Sequence, residues 1–493
     1  MEQDPKALEE EEMVKAQHRR KPEFNERYYI CRCTEGYYSN FSITAKYNKR
    51  FSKELLSNAL QSMIRNNSWF TLNFFKDNDD SSAQVNGMDY EVRCVEKIKF
   101  SDVVSFRQIE QFDATTLEEV NMLTLKMNVN LPLWRIIVFE EVGGDQYVCV
   151  YVDHSHYDGL SAVQFHKDLT KELSLAVIDH VEVLFDYKRD FEYLPEKILP
   201  PVETLTDLYI PSYAKVVRHY LETYIPGLSD FVSWASTLRL LSDANENLEL
   251  STHPLFYTKN RVERVLQTKF KIFNFSSSEV SKMIDYCRLH KITLSAYFDI
   301  LCLQSLEETI FKAVDPSTQF STSSLVAING RRYYSEDIRN FKYGTMVCGD
   351  QIILPPIKRK PLESMKKFHK KLRENIKSKA SFKIIGMYNY INCWDFFRKK
   401  LGKVGGRFSL TISNLGKIEN SNDEFKFEKI FFASNTGLVY NFILNMTTTP
   451  DNELTVVFGY LPEFEEYQLH GKKAIDLFAN QFQTKLRDFS KEK

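Results

Sequence analysis

The chain has 493 residues with 65 basic and 66 acidic side chains, a formal net charge of -1 at pH 7. That balance supplies no global field to recruit nucleic acid or a membrane, and the length exceeds one comfortable core, so about two domains are expected. Hydrophobic residues make up 43% and aromatic residues 14%, which suits large aromatic cores or an apolar ligand channel.

In chain order, residues 1–24 read as a flexible or weakly helical, charged lead without an apolar signal segment. From Tyr28 the text turns aromatic (YYICRCTEGYYSNF). Cys31 and Cys33 would share one face of a strand there, too near in sequence for a good disulfide. No C-x-x-C occurs among the eight cysteines, so reduced, intracellular usage is expected. Phe51 to Asn66 has helical spacing, with Leu56, Leu60, Met63 and Ile64 on one face. WFTLNFF (69–75) and DYEVRCVEKI (89–98) read as strands. LWRIIVFE and QYVCVYVDH form a hairpin through the turn Val142-Gly143-Gly144-Asp145. Ser161 to Gln164 has capping-box form and opens the helix SAVQFHKDLTKEL. The stretch 181–260 reads as a crossover between halves, broken at Leu199-Pro200-Pro201. It carries two amphipathic helices, AKVVRHYLETY and SDFVSWASTLRLL.

A second domain begins with VERVLQTKFKIFNFS, within 261–493. Two helices follow with a break near Lys291-Ile292-Thr293, and FSTSSLVAINGRRYY is a strand running into a polar turn. GRFSLTISNLGKI, FEKIFFAS, VYNFILNMTTT and LTVVFGYL are late strands, and AIDLFANQFQTKLRDF closes the chain as a helix. That helix puts Ile475, Phe478, Phe482, Leu486 and Phe489 on one face, with Lys472, Lys473, Lys485 and Arg487 nearby. Such a face packs on its own domain or lies on a membrane. No run of about eighteen apolar residues predicts a spanning helix. Strands and helices alternate irregularly in both halves, so the fold class is α/β with mixed sheets and the domains run 25–180 and 261–493.

The chemistry-bearing stretch is Tyr151 to Ser161, YVDHSHYDGLS, at a strand-to-helix turn. Three readings compete. On a strand, His154 and His156 would face the same way as two zinc ligands, with Asp158 as a third. They could equally be ordinary polar residues at a strand end. Or His154 is a general base, since an imidazole with a pKa of roughly 6.5 accepts a proton near neutral pH. In that reading Asp158 fixes the turn and Gly159 lets the chain bend into the helix.

The wider sequence resembles the fungal alcohol acetyltransferases, within the superfamily of CoA-dependent acyltransferases. The resemblance rests on GYYSNF, LPLWRIIVFE, HSHYDGLSAVQFHKDL, ITLSAYFDILCLQSL, VAINGRR, YGTMV and GKVGGRFSLTISNLG, spanning about residues 28 to 416. Where some members double the first histidine, this chain has Asp153, and SNLG replaces a late Asp-Phe-Gly-Trp-Gly motif of plant relatives. The resemblance implies two similar mixed-sheet domains of the chloramphenicol-acetyltransferase-like fold, with an active-site channel at their interface. It implies acetyl-CoA as co-substrate, no metal, and an alcohol or a long-chain amine such as a sphingoid base as acceptor. It assigns the general base to His154 and a structural role to Asp158, paired with Arg331, and to Gly159. Ser413 or Asn414 becomes a candidate oxyanion donor, and Lys403 and Arg407 become candidates for the CoA phosphates. His156 becomes a wall or supporting residue. A monomer is expected, in the cytoplasm or peripherally on endoplasmic reticulum or lipid droplets. An inactive lipid-binding relative and a zinc hydrolase are the rival readings.

Overall fold

The computed structural model describes residues 18–76, 89–195, 197–225, 227–228, 231, 267–317, 321–339, 341–357, 360–402, 408–437 and 440–491. Two mixed sheets organise it. In chain order their strands are β1 (Asn40–Tyr47), β2 (Val104–Ile109), β3 (Trp134–Glu141), β4 (Gln146–Asp153), β5 (Lys269–Phe275), β6 (Thr322–Asn329), β7 (Val347–Leu354), β8 (Phe408–Lys417), β9 (Phe427–Ser434), β10 (Tyr440–Thr448) and β11 (Leu454–Tyr460). The first sheet has the order β9-β1-β4-β3-β2, and the second β5-β11-β10-β8-β6-β7. β3 and β4 form the expected antiparallel hairpin, and all eight residues of β4 are buried. β2 runs parallel to β3, and β8 runs parallel to both β6 and β10, so each sheet is mixed.

One strand crosses over. β9 comes from the second half of the chain yet pairs antiparallel with β1, placing Phe432 opposite Ile43. Where β9 leaves the first sheet, Asn445 of β10 donates to the Ser434 hydroxyl at 3.0 Å and stitches the two sheets together.

The helices are α1 (Phe24–Thr34), α2 (Lys53–Asn66), α3 (Gly159–Leu175), α4 (Tyr213–Tyr224), α5 (Ser277–His290), α6 (Leu294–Leu306), α7 (Pro361–Ser378), α8 (Ala380–Gly386), α9 (Cys393–Gly402) and α10 (Ala474–Phe489). α2 buries its predicted face. Between α5 and α6, Lys291 adopts a left-handed φ of 55° and Thr293 caps the new helix through the Ala296 N–H. α1 corrects the strand expected at Cys31 and Cys33. A Glu23/Glu26 capping box starts this helix, and neither cysteine is in a disulfide. Ahead of α1, His18 is anchored by Tyr187 and by the Pro195 carbonyl, each at 2.8 Å. Residues 1–17, the segment SDFVSWASTLRLL apart from Phe231, and the opening of VERVLQTKFKIFNFS lie outside the described residues.

α10 puts Ile475, Phe478, Phe482 and Leu486 in the core of the second domain, all fully or nearly fully buried. Its apolar face is therefore committed to the fold and is not free to lie on a membrane. Among the described residues no helix is long and apolar enough to cross one.

Candidate active site

The turn after β4 is built by contacts across the domain boundary. β4 ends at Asp153, so the next three residues leave the strand and lose its alternation. Tyr157 bridges to Gly344, and the Asp158 N–H donates to the Gly344 carbonyl at 3.3 Å. Thr345 donates its hydroxyl to the His154 carbonyl at 2.5 Å. Gly344 has φ +135°, a conformation glycine adopts without steric cost. The segment YGTMV thus grips the turn from the second domain.

Asp158 is the N-cap of α3, three residues before the capping box expected at Ser161. Its Oδ1 accepts from the Ser161 N–H at 2.8 Å and its Oδ2 from the Met346 N–H at 2.9 Å. Arg331 completes the arrangement with two donations, Nη1 to Oδ2 at 2.6 Å and Nη2 to Oδ1 at 3.0 Å. Burial pushes the Asp158 carboxyl up, but Arg331 and these N–H donors outweigh it and hold the group below the ordinary range. The carboxylate is therefore fully engaged in fixing the turn.

Gly159 does not take a left-handed φ, so the bend into α3 does not require glycine. What requires it is space: a Cβ there would sit 2.7 Å from Leu415 Cδ2 of β8. Leu415 lies where the β8–β10 register slips, between Asn414 and Lys417.

The two histidines diverge. His156 is wholly buried, stacked on Phe74 at 4.6 Å and edge-on to Trp69 at 5.2 Å. Neither of its ring nitrogens has a partner. His154 instead lines a cavity of about 550 Å³, deep in the protein but with an open edge toward that space. Its ring stacks on Tyr29 at 5.3 Å and leans on Phe41 at 5.2 Å. Its Nδ1 is buried with no partner from another residue. Burial lowers the His154 pKa to about 4, opposed by Asp158 and by the residue's own backbone carbonyl. Burial likewise lowers His156 to about 4. The shared face expected of two zinc ligands does not exist, because a turn rather than a strand separates them. Among the described residues no group of three or more His, Cys, Asp or Glu converges as a metal site would require.

Both sheets line the cavity. Ser413 and Asn414 lie on its β8 wall, and the Asn414 side-chain Oδ1 accepts from the Gly416 N–H at 2.8 Å, holding its own bulge. Lys403 and Arg407 lie outside the described residues. At the position of the absent first histidine, Asp153 is buried and accepts from the Ser155 N–H at 2.9 Å and hydroxyl at 2.5 Å. The Asn40 amide, oriented to suit its neighbours, donates to the other oxygen at 2.7 Å. The Trp134-Arg135 pair is structural: Trp134 is core and donates to the Phe70 carbonyl at 2.9 Å. Sequence reasoning missed the contribution of α1, whose Asn25, Tyr28, Tyr29 and Arg32 all line the cavity. The spacing of Asn25, Tyr28, Tyr29 and Arg32, at i, i+3, i+4 and i+7, is one helix face and was the available signal.

A model of the alcohol acetyltransferase family matches residues 24–482, nearly the whole chain. The chain belongs to the alcohol acetyltransferase family. Among curated relatives, alcohol O-acetyltransferase 2 of Saccharomyces cerevisiae is 24% identical over 386 residues, 69% of either chain. Among solved structures, a trichothecene 15-O-acetyltransferase from Fusarium sporotrichioides superposes with a TM-score of 0.62 at 12% identity, covering 95% of each chain. The first condensation domain of a calcium-dependent antibiotic synthetase gives 0.57 at 13% identity over 96% of each chain. These likenesses show the fold, the two-domain α/β architecture of the CoA-dependent acyltransferases. As a member of the alcohol acetyltransferase family, the protein is an acyltransferase.

Proposed function

We propose that the protein transfers acetyl from acetyl-CoA to the hydroxyl of an alcohol, with His154 as general base. The observation that carries this reading is the setting of His154: a neutral imidazole on the wall of an interdomain cavity, its turn held by Asp158 and Arg331. With Nδ1 buried against the residue's own carbonyl, Nε2 keeps the lone pair that faces the cavity. The acceptor hydroxyl gives its proton to Nε2 as its oxygen bonds to the thioester carbonyl carbon. The tetrahedral oxyanion collapses, the C–S bond breaks, and the CoA thiolate takes the proton from Nε2. Acetate ester and free CoA thiol leave, and no acyl-enzyme forms. Holding the imidazole still supplies the proximity on which such proton transfer depends. The Ser413 hydroxyl and the Asn414 amide N–H on β8 are the donors for the oxyanion, a role that requires them within hydrogen-bond reach of that oxygen.

The test follows free thiol released from acetyl-CoA across a panel of alcohols, with a sphingoid base run alongside. Wild type should turn over alcohols, and His154→Ala should lose about 10²- to 10⁴-fold in rate. An undiminished rate in His154→Ala sinks the assignment. Faster turnover of the amine than of every alcohol would move the acceptor class to long-chain amines.

A further inference from the structure

The cavity holds a cation that the proposed chemistry does not use. Arg32 lies in the last turn of α1 and lines the same space as His154. Its guanidinium carbon is 5.8 Å from the Tyr28 ring centroid and 5.9 Å from that of Tyr29. Tyr29 in turn stacks on His154, so the same ring touches both the guanidinium and the imidazole, and the Arg32 charge reaches His154. The Arg32 Nε is buried without a hydrogen-bond partner. The Asp153 carboxylate is near enough to act on Arg32 through charge, but its hydrogen bonds go to Ser155 and Asn40. Two other arginines chelate a carboxylate: Arg20 takes both oxygens of Glu26 at 2.7 Å, and Arg331 takes both of Asp158. A guanidinium in such a place with no carboxylate hydrogen-bonded to it costs stability unless something supplies that partner. A guanidinium fork stacked on aromatic faces is preorganised to bind a planar oxyanion through two parallel hydrogen bonds.

We propose that Arg32 is a specificity-determining residue that binds a carboxylate carried by a substrate, in the same cavity as the reacting centre. The carboxylate has two possible carriers: the far end of the acceptor alcohol, or the far end of the acyl group on the thioester. The proposal rests on the acyl-transfer reading of the cavity, and its tests are chosen to separate the two.

In the first arm, kcat/KM is compared for an ω-hydroxy acid and the n-alkanol of equal length, with acetyl-CoA as donor. In the second, succinyl-CoA is compared with acetyl-CoA on one alkanol. The anionic substrate of one pair should be favoured roughly 10- to 100-fold, the range expected of a hydrogen bond to a charged group. That ratio should fall to about one in Arg32→Met and recover in part in Arg32→Lys, which keeps charge but not the fork. A preference in the first pair places the carboxylate on the acceptor; a preference in the second places it on the acyl group. No preference in either pair, or one that survives Arg32→Met, overturns the proposal. A third measurement needs neither turnover nor a variant: calorimetric binding of hexanoate and of hexanol to the wild-type protein. Hexanoate should bind the more tightly, and equal binding counts against Arg32. Failure of wild type to release thiol with any alcohol would instead strike the acyl-transfer reading and leave the hexanoate comparison standing.

Discussion

His154 and His156 are two residues apart and are pushed to the same low pKa by burial, yet only one faces a cavity. Two predictions separate them. The free enzyme's base should titrate near about 4 rather than at the usual 6.5. The acid limb of kcat/KM should therefore fall well below pH 6, and a limb at 6.5 or above would contradict the burial of this ring. The sign for stability follows from the same shift. His154, His156 and His166 are all held neutral in the fold, while an unfolded histidine gains its proton near 6.5. The stability tied to them is present above pH 6.5 and is lost as pH falls toward 4. His156 has two unpaired ring nitrogens in an apolar site. His156→Leu removes them at similar volume, so neutral-pH stability should stay within about 1 kcal/mol of wild type or rise. Thiol release should persist, and the drop in urea midpoint between pH 7 and pH 5 should be smaller. A tenfold loss of turnover in a well-folded His156→Leu would show that His156 acts in the site.

At the scale of elements, the site is a turn held between α3 and the segment before β7. Asp158 caps one and bonds the other, so its charge matters to both. Asp158→Asn keeps an acceptor for the Ser161 N–H but leaves Arg331 without a carboxylate. Breaking a buried pair by removing one partner costs about 3–5 kcal/mol. A fall of that size in unfolding free energy, with kcat reduced as His154 loses its fixed position, is expected in urea titrations and thiol assays. A loss below about 1 kcal/mol would mean that the pair is not what holds the turn. Much of this element was legible in sequence. The hairpin, the turn and α3 follow from strand alternation and helical spacing, and the pairing of Asp158 with Arg331 from resemblance. Other features were not. YYICRC is rich in aromatic residues and reads locally as strand, but its tertiary setting against Tyr388 and Phe397 makes it helix. Gly159 was assigned to backbone freedom, whereas the decisive atom belongs to Leu415, distant in sequence. The basic helix α7 has few apolar positions, with Met365, Phe368 and Leu372 buried, and gave a weak periodic signal. Sequence spacing reports what one segment needs. It does not report which remote segment comes to meet it.

At the scale of the molecule, the two sheets are not independent folding units. β9 reaches β1 only after the chain has built most of the second sheet, and it carries Ile430, Phe431 and Phe432 into the first core. Without it, β1 becomes an edge strand, with Phe41, Ile43 and Ala45 losing cover and a row of backbone groups unpaired. Such an edge is a template for aggregation. Burying each large apolar side chain is worth about 1.5–3 kcal/mol, so three from β9 rival the total of roughly 5–15 kcal/mol that keeps a domain folded. The second half also supplies Met346 and Arg331 to the turn that carries His154, so neither half contains the site alone. Residues 1–265 expressed alone should therefore collect in the insoluble fraction. Co-expression with residues 266–493 should return soluble material in which the two pieces co-purify and release thiol from acetyl-CoA. The intact chain should unfold in one transition when tyrosine fluorescence and far-ultraviolet circular dichroism are followed together. A soluble 1–265 fragment with its own cooperative unfolding would show that β9 is dispensable to the first core. The strand exchange would then serve only to align the two walls of the cavity.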